Sequence, residues 1–357
     1  MDAPAASASA ATGEPPMPSR VLVVGGGRVG AYLARALKDG GVPHVVLKMS
    51  NRNRARVHAP GKTGPRGGAD DPTRTGATAI ATHAGATCVT AYEDLPAAAD
   101  PATSRRAHFD LVFVAVKTYA LRAVREEMEA SGVTFDAIVL AHNGMVDPVF
   151  DPSLTARASM PQSWDIVKDD GDPCGYRMVV RNEDEPWVLP NTTIGERFAS
   201  TLRRCGVRAV AARDFEYLLL EKYFVNGVAN LLSVVGDVNC DGLLADRDLT
   251  ARSHRVFDEM MDALAVDHAA GLALAPDNFR DVVFAKVASY GGHYPSSKQD
   301  FDAGQPLEID SLNGYVVERA RANGIVATEN EALVEEVRRM VEARDAARDD
   351  AAVPTRA

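Results

Sequence analysis

The chain has 357 residues, enough for two domains of ordinary size, and its 46% hydrophobic and 25% charged residues are the balance of a soluble globular protein. Its formal net charge of −10 argues against nucleic acid or an anionic membrane as a partner, because both select a basic face. No uninterrupted apolar run reaches the ~18 residues of a bilayer span, and Cys88, Cys174, Cys205 and Cys240 form no CxxC pair, which fits reduced thiols in an intracellular protein and neither a disulfide framework nor a zinc site.

Residues 1–19 are rich in Ala, Ser and Pro and are expected to be disordered. They lack the basic start and apolar core of a secretory signal. Asp2, Glu14 and the absence of arginine before Arg20 argue against a mitochondrial presequence. The cytoplasm is the expected location, with a chloroplast transit peptide left open.

Val21 to Val24 read as a buried strand that runs into GGGRVG and then an amphipathic helix. Gly25, Gly27 and Gly30 fit GxGxxG, with Arg28 and Val29 inside the turn. The first glycine permits a tight turn, the second lets backbone approach a pyrophosphate, and the third lets helix and strand pack closely. A dinucleotide site is expected here; a glycine turn without a ligand is the plainer reading. The second strand, His44 to Leu47, runs into KMSNRNRAR. An NAD-specific site would carry an acid there. Lys48, Arg52, Arg54 and Arg56 stand in its place, and no acid follows before Asp70. That favours NADPH, whose 2′-phosphate calls for positive charge.

Residues 58–86, rich in Gly, Pro, Thr and Asp, read as a long loop or insertion. Strands are expected at Thr87 to Thr90, Leu111 to Val116 and Ala137 to Ala141, with a helix from about Ala120 to Ala130. Strands alternating with helices imply a parallel sheet. Lys117 and Asn143 then fall beyond strand carboxyl ends, where a cofactor and substrate bind; for Lys117 a plain surface lysine is equally consistent. Met178 to Arg181 and Trp187 to Leu189 are expected to pair as strands, and a helix follows to Arg204. After Arg213 the pattern is helical to about Arg348. The expected division is thus a Rossmann-type domain over 20–213, an all-helical domain over 214–348 and a frayed end over 349–357.

Phe215 to Leu232 reads as a helix apolar nearly all round, which calls for burial. Lys222, Asn226 and Asn230 lie four residues apart and share one face. They would either face a cleft and hold a polar ligand, or bond to solvent and nearby backbone. Residues 237–248, DVNCDGLLADRD, match part of a calcium-loop pattern, with Asp at the last position; an Asp/Asn/Gly-rich turn is the favoured reading, and no metal is expected. Ser296-Ser297-Lys298 and Glu308 form a second polar group. Glu308 lies at the head of a helical stretch, where an acid suits the dipole.

Five stretches in order, GGGRVG, AVKTY, HNGM, LEKYFVNGVAN and SSKQD with LEID–LNGYVVERARANGI, resemble the ketopantoate reductase (2-dehydropantoate 2-reductase) family. The resemblance implies an N-terminal Rossmann-type doubly wound sheet, an all-helical C-terminal domain and a site in the cleft between them. It implies NADPH-dependent reduction of a small 2-oxo acid, ketopantoate first, within pantothenate biosynthesis. Lys222 would be the general acid. Asn226, Asn230 and Ser296 would hold substrate, Glu308 its hydroxyl, and Asn143 would sit near nicotinamide and substrate. ASMPQSWDIV departs from the family pattern, and the choice between Ser296 and Ser297 stays open. A reductase of another bulky 2-oxo acid, or a catalytically silent NADP sensor, are the alternative readings. Monomer and homodimer both stay open.

Overall fold

A computed structural model describes residues 15–49, 72–95 and 107–352. Arg52, Arg54 and most of the N-terminal tail lie outside the described residues. The first half alternates β1 (Arg20–Val24), α1 (Arg28–Asp39), β2 (His44–Lys48), α2 (Pro72–His83), β3 (Thr87–Val89), β4 (Ala107–Val114), α3 (Leu121–Ala130), β5 (Val133–Leu140) and β6 (Thr155–Arg157). These strands form one parallel sheet in the order β3-β2-β1-β4-β5-β6, the doubly wound order. Val21 to Val24 are fully enclosed, since β1 lies between β2 and β4 and both sheet faces are covered. One apolar layer holds Leu33, Ala34 and Leu37 of α1 against the sheet; the other holds Leu121, Val124 and Met128 of α3.

Three expectations need correction. The Gly/Pro-rich stretch 58–86 is not all loop: α2 occupies Pro72–His83, with proline in its first turn, where the missing N–H costs nothing. Its Ala77, Ile80 and Ala81 are buried, so small residues that read as loop composition serve close packing. The expected strand pair near 180 is also rearranged. β7 (Ser163–Lys168) pairs antiparallel with β8 (Tyr176–Arg181), while β9 (Trp187–Pro190) pairs parallel with β10 (Ala209–Ala212) across α4 (Thr193–Arg204). Finally, residues 15–19 are held: Arg204 Nη1 donates to the Pro15 carbonyl, and Ser19 N and Oγ donate to Asp110 Oδ2.

From Phe215 on, every regular element among the described residues is helical. α5 (Phe215–Gly236) is followed by α6 (Cys240–Ala245), α7 (Arg247–Leu264), α8 (Ala269–Leu272), α9 (Phe279–Ser289), α10 (Ser296–Asp302), α11 (Asn313–Ala322) and α12 (Thr328–Ala352). By length and composition α5 could cross a membrane, but α7, α8, α9, α10 and α12 wrap it. Phe224, Leu231 and Leu232 are fully enclosed, which accounts for its apolarity. Asp237 ends α5 in the left-handed region with φ 51°. The calcium-like stretch then forms two helix caps. Asn239 accepts from Gly242 N to start α6, and Asp246 accepts from Asp248 N and Leu249 N to start α7. Asp237 pairs with Lys298 at 2.7 Å.

Candidate active site

The glycine turn sits where β1 gives way to α1, at the point where strand order reverses between β1 and β4. Gly25 has φ +120°, and a side chain there would collide with the Ala115 carbonyl at the end of β4. A Cβ at Gly30 would collide with the Gly25 carbonyl, so the helix packs on the turn itself. Gly27 faces open space and caps α1 without a side-chain acceptor. Bare backbone, free N–H groups and an open face suit a pyrophosphate. Arg28 lies 3.9 Å from Asp165 of β7, and Val29 is half-buried against the core of this domain.

The Lys48 carbonyl accepts from Gly25 N, but its side chain does not reach that turn. Side chains alternate along a strand, so Lys48 shares the sheet face of Val46, opposite the face that holds α1. It is buried there, with Nζ 3.0 Å from Glu127 Oε2 and 4.5 Å from the centre of the Tyr92 ring. Its charge is paired inside the domain.

Lys222 and Asn226 face one cavity, together with Asn143, His142, Arg157 and Ser159. α5 brings the first two from the helical domain; Arg157 ends β6, and the others follow β5 and β6 of the sheet. Lys222 keeps some exposed surface as a residue, yet its ammonium is enclosed and donates to the Met160 carbonyl. Burial, and then the nearby Arg157 charge, lower its pKa to about 8, while Glu308 opposes the shift. His142 is buried beside the same charges, its Nδ1 2.7 Å from the Asn143 carbonyl. Burial and Arg157 lower its pKa to about 3, so it stays neutral and is no proton donor near pH 7. The free space in the cavity is about 10 Å³, room for one water. A larger ligand requires the walls to part.

Asn230 and Ser296 sit one step back. Asn230 Nδ2 donates to Asn226 Oδ1 at 3.1 Å. Asn230 Oδ1 accepts from Ser296 Oγ at 3.2 Å and from Ser297 N at 3.0 Å. The two serines thus divide the work at Asn230, one by its hydroxyl and one by its backbone.

Lys117 and Glu308 meet across the domain boundary. Lys117 Nζ lies 2.7 Å from Asp300 Oδ2 and 3.2 Å from Glu308 Oε2, and both acids raise its pKa against the effect of burial. Glu308 Oε1 accepts from Thr118 N at 3.0 Å and Thr118 Oγ1 at 3.2 Å. Ser311 continues the seam: its Oγ lies 2.6 Å from Thr118 Oγ1, and its carbonyl accepts from Met145 N. Gly144, with φ +71°, allows this approach, because a side chain there would press on Ser311.

Sequence reasoning missed Arg157, Thr118 and Ser311. Thr118 and Ser311 gave no periodic signal. Arg157 did give one: a lone arginine between alanines in a short strand, Thr-Ala-Arg-Ala, at the end of the sheet.

Comparison with known proteins agrees with this arrangement. Residues 21–148 match the family Ketopantoate reductase PanE/ApbA, and residues 214–341 match Ketopantoate reductase PanE/ApbA C terminal, together over two thirds of the chain. A 2-dehydropantoate 2-reductase of Aquifex aeolicus is 23% identical over 235 residues, 64% of this chain and 76% of that protein. One of Mycobacterium tuberculosis is 31% identical over 147 residues, 41% of this chain and 48% of that protein. Among solved structures, a dimeric ketopantoate reductase from Staphylococcus aureus has a TM-score of 0.64 at 17% identity, covering 91% of this chain and 99% of that one. D-mandelate dehydrogenase, solved with NADH and anilino(oxo)acetate, has a TM-score of 0.65 at 17% identity, covering 92% and 99%. These structures share the fold. With both halves matched in order, and with a sheet and helical domain of the expected kind, the chain belongs to the ketopantoate reductase family.

Proposed function

We propose that the protein reduces a small 2-oxo acid to the 2-hydroxy acid with NADPH, ketopantoate being the first candidate. The observation that carries this reading is Lys222, an enclosed lysine with a pKa near 8, facing one cavity with Asn226 and Asn143. The bare glycine turn (Gly25, Gly27, Arg28, Val29, Gly30) would hold the dinucleotide. NADPH, when bound, supplies the hydride. The preference over NADH rests on Arg52 and Arg54, since Lys48 is paired with Glu127. Lys117, Asn143 and Glu308 stand at the seam where nicotinamide and substrate would meet.

Negative charge develops on the carbonyl oxygen as the carbon is reduced. Lys222 holds a proton at Nζ for that oxygen, and its lowered pKa favours release near neutral pH. Asn226 and Asn143 would orient the substrate by amide hydrogen bonds. Asn230 and Ser296 support Asn226 from behind, and so place it for the substrate. Glu308 would reach a substrate hydroxyl once the cleft opens and its contacts with Lys117 and Thr118 loosen. The likeness to a D-mandelate dehydrogenase structure supports a bulkier 2-oxo acid as the second reading, and likeness to a dimeric reductase supports a homodimer.

The test is NADPH oxidation against a panel of 2-oxo acids that includes ketopantoate and benzoylformate. Turnover concentrated on one of them names the substrate. No turnover with any 2-oxo acid, at saturating NADPH, contradicts the reading.

A further inference from the structure

The geometry points to Arg157 as the group that binds the substrate's carboxylate, a role that separates this chain's anion site from its Asn230–Ser296 pair. The inference rests on the 2-oxo acid reading above. Arg157 ends β6 at the edge of the sheet, in register with Leu140. Its guanidinium lies on the wall of the Lys222 cavity. There it meets a thioether and a backbone carbonyl: Nη1 is 3.0 Å from Met145 Sδ, and Nη2 donates to the Gly144 carbonyl. No carboxylate among the described residues forms an ion pair with it, and its Nε is buried without an acceptor. Enclosure lowers its pKa to about 10, against the opposing influence of Tyr223, Tyr315 and Glu308.

An arginine in such a place is costly without a counter-ion. The other charged side chain on the cavity wall is Lys222, also a cation. Glu308 acts on both from outside the lining, but its carboxylate is already bonded to Lys117 and Thr118, so among the described residues Arg157 has no ion-pair partner of its own. A carboxylate would match the planar guanidinium fork. In a 2-oxo acid the carboxylate carbon adjoins the keto carbon. An anion on Arg157 would therefore bring the keto oxygen toward Lys222, on the facing wall. The other candidate anchors are already engaged. Asn230 already bonds Asn226, Ser296 and Ser297, and neither Asn230 nor Ser296 lines the cavity. The bound anion would also offset the Arg157 charge and help keep Lys222 protonated until the hydride arrives.

The probe is oxamate, an unreducible 2-oxo acid mimic, titrated by calorimetry into the enzyme–NADPH complex, with neutral oxamide as its control. Removing one partner of a buried charge pair costs several kcal/mol, so oxamate should bind at least about thirtyfold tighter than oxamide. Arg157→Gln should abolish that preference, with NADPH affinity within about twofold of the parent. Lys222→Ala should keep it. Equal binding of oxamate and oxamide by the parent enzyme overturns the proposal, and needs no variant to fold. A folded Arg157→Gln that binds oxamate as the parent does overturns it too. A purely structural arginine would lower Tm without touching the discrimination. If no 2-oxo acid is reduced, yet oxamate binding depends on Arg157, the reaction reading fails and the anion site stands. If Arg157→Gln reduces 2-oxo acids with the parental kcat/KM, the anion site fails and the reaction reading stands.

Discussion

Arg157 and Lys222 face the same cavity, and the guanidinium adds to burial in holding the Lys222 ammonium at a pKa of about 8. The sign of the pH dependence follows. Reduction needs the protonated lysine, which prevails below that value and is lost above it. kcat/KM for reduction should therefore fall as pH rises through about 8. Oxidation of the 2-hydroxy acid needs the neutral lysine and should rise over the same range. Arg157→Gln relieves the repulsion and should move the limb to higher pH. A reduction profile flat from about pH 6 to about pH 10 would contradict this assignment.

Glu308 carries two functions that a single substitution disturbs together. It is buried and holds Lys117 and Thr118 from the other domain. Glu308→Ala leaves the Thr118 N–H without an acceptor, though the Thr118 hydroxyl keeps Ser311 and Lys117 keeps Asp300. The expected loss is about 2 kcal/mol of stability, read as a lower Tm, alongside a large drop in kcat/KM. Glu308→Gln preserves an acceptor for Thr118, so it should recover most of the Tm but not the kcat/KM. Full activity in either variant would assign Glu308 to the seam alone.

The fold was largely legible in the sequence, because its signals are local and periodic. Val21 to Val24 followed by GGGRVG announces a strand, a turn and a helix, and the apolar run of α5 announces a buried helix. The spacing of Lys222, Asn226 and Asn230 placed them on one face, where α5 does carry them. What was not legible depends on partners distant in sequence. The parallel pairing of β9 with β10 leaves no trace in either strand. The Lys117–Glu308 contact joins residues 191 apart. Lys48 misled for a different reason: its place at the end of β2 was plain, but not which sheet face its side chain takes. α2 was hidden because Gly, Thr and Ala together read as loop, and close packing favours the same small residues.

Cofactor preference should therefore depend on Arg52 and Arg54 and not on Lys48. At least a tenfold preference for NADPH is expected, about 1.4 kcal/mol. Arg52→Ala with Arg54→Ala should remove it. Lys48→Met should lower Tm or leave it near the parent, with the preference intact. A preference that follows Lys48 would reverse this ordering.

The stretch from Asp237 to Asp248 should behave as a pair of helix caps. Asn239→Ala and Asp246→Ala should each cost about 1 kcal/mol, seen in denaturant midpoints. Calorimetry with calcium should show no micromolar binding heat. A heat that disappears in Asp237→Ala would assign the stretch to a metal instead.

The central claim is that Lys222 donates the proton, and single-turnover kinetics of Lys222→Ala with NADPH and the best 2-oxo acid tests it most directly. General acid catalysis contributes about 10²- to 10⁴-fold, so the hydride-transfer rate should fall at least about a hundredfold. NADPH affinity should stay near the parental value, since the glycine turn lies on the other domain. The pH limb near 8 should vanish with the lysine. A folded variant that turns over within a few-fold of the parent and keeps that limb would show that another group supplies the proton.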